Sequence, residues 1–150
     1  MKVSLSKALK IKNRLVGEII RLSEIMRREN SRRNDNVSTV VCSDVFQSIL
    51  NTYDSLVRCK TEIAKANIDI YEKIEKMSEL KQFINFLNSI PVREGEEVEF
   101  QGMQREKVVY KWTAFLNRQA IDNKMVEIKN QINVLQDEID LYNAVTLIDI

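Results

Sequence analysis

The stretch Ile121–Tyr142, IDNKMVEIKNQINVLQDEIDLY, decides the fold class. Its residues Ile121, Met125, Ile128, Ile132, Leu135, Ile139 and Tyr142 recur at spacings of 4, 3, 4, 3, 4 and 3. That period places them along one side of an α-helix, as in a heptad seam; a half-buried strand would alternate every second residue. The helix is expected over about residues 113–146, roughly 50 Å long at 1.5 Å per residue. It outreaches the other expected helices, so part of its stripe is surplus. Met125, Ile128, Ile132 and Leu135 are therefore candidate interface residues for a second copy of the chain or a partner helix.

Upstream, residues 92–112 change character. Val98 and Phe100 alternate with Glu97, Glu99 and Gln101, and Val108, Tyr110 and Trp112 alternate with Lys107, Val109 and Lys111. Gln101-Gly102 lies between the runs, which predicts a β-hairpin and the only sheet. Before it, Pro91 closes a third helix that carries Ile70, Ile74, Met77, Leu80, Ile84 and Leu87. Proline lacks the N–H and pushes its predecessor toward extended backbone. Asp69 and Glu72 have capping-box spacing for that helix.

A second helix carries Val45, Ile49, Thr52, Leu56, Cys59 and Ile63. Asp44 and Gln47 are its expected capping box, and Asn67 its end, since asparagine tolerates the left-handed conformation. The first helix carries Leu5, Ala8, Lys12, Leu15, Ile19, Leu22 and Met26, with Gly17 a cost of about 1 kcal/mol against alanine. Between them, RRENSRRNDNVSTVV (Arg27–Val41) shows no apolar period, and a polar loop is expected over about residues 29–42. Val45, Ile49, Leu56, Cys59 and Ile63 align one-to-one with Ile121, Met125, Ile132, Leu135 and Ile139, and Glu62-Ile63…Asn67 with Glu138-Ile139…Asn143. An ancient duplication and the general likeness of heptad helices both account for the match.

The whole chain agrees with this reading. Of 150 residues 30% are charged, 44% hydrophobic and 7% aromatic, with three glycines and one proline, a balance that suits long helices rather than a sandwich or barrel. The expectation is a mainly α, antiparallel coiled-coil-like bundle of about four helices, one domain over residues 1–150, with the hairpin before the last helix. Net charge is +1, so no overall field draws nucleic acid or membrane. Lys2, Lys7 and Lys10 break up the N-terminus, no run approaches ~20 apolar residues, and a cytoplasmic location is expected.

The opening L-S-K-A-L-K-I-K-N-R-L-V-G-E-I (Leu5–Ile19) resembles the start of a family of small bacterial helical proteins of uncharacterised activity, some named septicolysin-like. Its other shared features would be Asn67, Asp69, Leu80, Asn143 and Thr146. Met77-Ser78 stands where an Arg-Asp pair is expected, and Ala144 where a tryptophan is. The resemblance implies a helical fold and supplies no activity.

Chemistry-bearing residues are sparse. Histidine is absent, which removes imidazole as base, acid or metal ligand. Cys42 precedes a helix N-terminus, where a thiolate is favoured, and Cys59 sits at a core position. Glu94, Glu96, Glu97 and Glu99 form an acidic run without EF-hand spacing, and Gly95 and Gly102 are too isolated for a phosphate loop. Arg27, Arg28, Arg32 and Arg33 are the candidate anion or nucleic-acid contacts, although arginines at a helix C-terminus also complement its dipole. Tyr110 and Trp112 are expected to seal the hairpin onto the bundle, with an exposed recognition surface as the alternative. No catalytic residue, cofactor or metal is expected. The leading expectation is a non-enzymatic module that self-associates or binds partner helices; the alternative is a nucleic-acid- or anion-binding accessory protein.

Overall fold

The structure, a computed structural model, describes residues Met1–Ile150. The chain is mainly α, with four helices and two small antiparallel strand pairs. In order these are β1 (Lys2–Ser4), α1 (Leu5–Glu29), α2 (Cys42–Ala66), a 3-10 turn (Ile68–Ile70), α3 (Tyr71–Ser89), β2 (Gly95–Gln101), β3 (Glu106–Trp112), α4 (Arg118–Val145) and β4 (Leu147–Asp149). They fall into two compact units: residues 1–71 with 139–150, and residues 72–138. α4 contributes to each unit.

In the first unit α1 and α2 pack side by side. The Ser4 side chain accepts from the Lys7 N–H and starts α1, and Arg27 and Arg28 stand in its last turn beside the orphan carbonyls. The seam buries Leu5, Ala8, Ile19 and Leu22 of α1 against Ile49, Leu56, Cys59 and Ile63 of α2, so both heptads fall where their spacing puts them. Three cap details differ from expectation. Val41, not Asp44, is the N-cap of α2, without a side-chain hydrogen bond, and Asp44 sits in the first turn. Asn67 ends α2 in right-handed geometry (φ −77°, ψ −9°). The 3-10 turn, rather than an Asp69 capping box, leads into α3.

The hairpin is not the only sheet. β1 pairs antiparallel with β4, Val3 opposite Ile148, and both side chains are buried in the core with Leu5, Ala8, Cys59 and Ile63. The Leu5 N–H donates to the Thr146 carbonyl over 2.9 Å, and the Met1 ammonium pairs with Asp149. Three-residue strands are too short to show a period in sequence, which is why the pair was not expected.

The second unit is built on Leu87, Ile121 and Ile128, with Leu80, Ile84, Ile90, Val92, Met125 and Ile132 packed around them. Asn117 Oδ1 accepts from the Ala120 N–H over 2.8 Å and fixes the start of α4. The helix therefore begins five residues later than expected, and at 28 residues is about 42 Å long. The hairpin pairs Gly95 with Trp112 through Gln101 with Glu106. Gly102 (φ +77°) takes the left-handed position its turn needs, and Arg105 (φ +48°) follows it.

Candidate interaction surface

The surplus stripe of α4 is used within the chain. Ile128 is 2% exposed and Leu135 is buried, while Met125 and Ile132 are half-buried. Within the chain Met125, Ile128 and Ile132 pack with Leu80, Ile84 and Leu87 of α3.

An apolar surface lies elsewhere, on one flank of the α1–α2 pair. Phe46, Leu50, Tyr53 and Val57 follow a 4-3-4 spacing one residue beyond the buried row of α2, and stay 42–61% exposed. On α1, Val16 and Ile20 hold the corresponding positions, 37% and 55% exposed. In an antiparallel pair such positions on the two helices lie on the same side. The opposite side shows this directly, where Ile11 and Arg14 of α1 line one cleft with Ser55 and Arg58 of α2. From Ser6 to Ser23 on α1 and Ser43 to Val57 on α2 the apolar flank carries no Asp, Glu, Lys or Arg; Arg27 and Lys60 bound it. The opposite flank carries Arg14, Glu18, Arg21, Arg58, Glu62 and Lys65, with Arg21 bonded to Glu18 and Lys65 to Glu62 over 2.6 Å. One pair of helices therefore has a charged side and an apolar one, both open to solvent.

The second stripe was present in the sequence. Period alone does not single it out, because two rows one residue apart both obey heptad spacing and only one of them is the core row. A count of charges on each flank would have found it.

Three of the four arginines of the loop region are paired with two carboxylates. Arg28 Nε lies 2.8 Å from Glu29, Arg32 reaches the same carboxylate at 4.0 Å, and Arg33 binds Asp35 over 2.5 Å. The Arg28 guanidinium, then the Ser38 hydroxyl, hold the Glu29 carboxyl below its ordinary pKa. Arg27 is exposed. These contacts tie Arg28, Arg32 and Arg33 to two carboxylates rather than converging the four arginines on one point.

The hairpin is exposed on both faces. Tyr110 (40%) and Trp112 (45%) do not seal it onto a core. Their partners lie within the hairpin region: Gln101 Nε2 is 2.9 Å from the Tyr110 hydroxyl, the Trp112 indole N–H donates to Glu97 over 2.7 Å, and Arg93 stands 4.7 Å above the indole ring. The Trp112 hydrogen bond, and next the Arg93 one, keep the Glu97 carboxyl below its ordinary range. The expected aromatic seal is replaced by a polar clasp, which holds the ring without desolvating it.

A groove in the second unit runs beside Lys73, Lys76, Glu127, Gln131, Val134 and Glu138. It is open, and its ion pairs Lys73–Glu138 (2.7 Å) and Lys124–Glu127 (3.0 Å) join side chains about half exposed. Of the cysteines, Cys42 is half-buried. Cys59 is 2% exposed, its Sγ 3.6 Å from the Ala8 carbonyl oxygen, and burial raises its pKa. No helix is long and apolar enough to cross a membrane. Comparison with protein-family models, with curated proteins and with solved structures finds no match.

Proposed function

We propose that this chain is a structural, non-enzymatic interaction module that self-associates or binds helical partners through an apolar helix face. The observation that carries the reading is the uncharged flank of α1 and α2, with Phe46, Leu50, Tyr53 and Val57 exposed in a chain of which 30% is charged. Large aromatic and aliphatic groups in one row, rimmed by charges, have the composition of a protein contact rather than of a solvated helix face. The flank takes over the role that the α4 seam was expected to play. Two unpaired cysteines suit a reducing, cytoplasmic setting. The nucleic-acid alternative is weakened by the carboxylates paired with Arg28, Arg32 and Arg33.

The test places a photo-crosslinking amino acid at Tyr53 in the full chain inside cells. Adducts to any polypeptide, itself included, that disappear on Leu50→Glu support the reading. A chain that gives no adduct, or one indifferent to Leu50→Glu, overturns it.

A further inference from the structure

We infer that the occupant of the α1–α2 flank is a second copy of the same chain, two helix pairs meeting face to face about a two-fold axis. This rests on the reading above and names the partner that reading leaves open.

The first argument is width. The flank is two helices across, with Val16 and Ile20 on one and Phe46, Leu50, Tyr53 and Val57 on the other. A single foreign helix lies along one groove and leaves an outer row wet. A second two-helix layer covers both rows, and this chain carries one with the same dimensions. Layers of helices stacked in this way form a four-helix core, a stable solution for elements with one apolar side.

The second argument is area. Between its charged bounds the flank runs 18 residues on α1 and 15 on α2, about 22–27 Å, and two helices side by side are roughly 20 Å across. That gives on the order of 500 Å² per copy, or ~1,000 Å² in all, the area at which a specific but reversible interface begins.

The third is electrostatic. An isologous contact sets one surface against itself, so a charge inside it meets its own kind. This flank carries no charge between its bounds, so self-contact meets no such repulsion. The opposite flank, with Arg14, Glu18, Arg21, Arg58 and Glu62, has its charges spread across the surface and solvated. Arg27 and Lys60 fall at the ends of the apolar flank, where a rim remains in water.

The experiment is light scattering coupled to gel filtration, with sedimentation equilibrium, on the full chain. Three proteins are compared at equal micromolar concentration: the unaltered chain, Leu50→Glu with Val57→Glu, and a control on the other flank, Arg14→Glu with Arg58→Glu. The expected result is a dimer for the unaltered chain and the control, and a monomer of unchanged helicity for the Leu50/Val57 variant. Leu50→Ser is the milder companion should the double variant lose its helix signal, and it should weaken dimerisation at least tenfold. A dimer indifferent to all flank changes overturns the inference and sends self-association to another surface. A monomeric unaltered chain also overturns it. If that monomer still crosslinks through Tyr53 to a different polypeptide, the broader reading stands; if it crosslinks to nothing, both fail.

Discussion

The Tyr142 hydroxyl donates to the Ala66 carbonyl oxygen over 2.7 Å, joining residues 76 apart in sequence. Ala66 is the last residue of α2, so its carbonyl has no partner within the helix. The bond satisfies that orphan and anchors the last turns of α4 in the core of the first unit. Tyr142→Phe keeps the ring and removes the donor. It should lower stability by about 1 kcal/mol, the usual net worth of such a bond. Urea denaturation followed by circular dichroism checks this, and an unchanged midpoint refutes it.

Ile128 is the most deeply buried residue of α4 and a centre of the second core. Ile128→Ala removes its outer carbons and leaves a cavity, a loss of about 2–5 kcal/mol. The only tryptophan, Trp112, lies in the same unit, so its fluorescence should report the earlier unfolding. Val134→Ala on the same helix, where the side chain is 58% exposed, should change stability little.

The cysteines should react at different rates. Cys42 is half-buried at the start of α2, whereas burial raises the Cys59 thiol pKa and shields its sulfur. A maleimide should modify one thiol quickly in the folded chain and the second only with unfolding. Cys42→Ser should abolish the fast phase. If the fast phase persists, the helix seam opens more readily than its packing implies.

Glu97 links the hairpin to pH. Its pKa is depressed below 4.5, first by the Trp112 indole N–H and then by Arg93. A depressed carboxylate contributes stability that is present above its ordinary value and lost as pH falls through the folded value. Trp112 fluorescence should therefore change on acidification with a midpoint below 4.5, and Glu97→Gln should remove that step. A midpoint at or above the ordinary value would mean that the clasp does not form.

The sequence alone determined four helices, the apolar rows that could be buried and the hairpin, because each is a local periodicity. Ile49, Leu56, Cys59 and Ile63 lie where 4-3 spacing places them, and Val98 to Phe100 pair with Val109 to Lys107 across the expected turn. The same local logic misassigned Tyr110 and Trp112 to a core seal, since alternation marks a strand without saying what covers its faces. Tertiary structure decided the rest. It brought β1 to β4 across the whole length of the chain, a pairing that no local pattern encodes. It spent the α4 seam on α3 and left the second row of α2 in solvent. Which of two equally periodic rows is buried depends on the neighbour that faces it, and the sequence of one helix does not contain its neighbour's position.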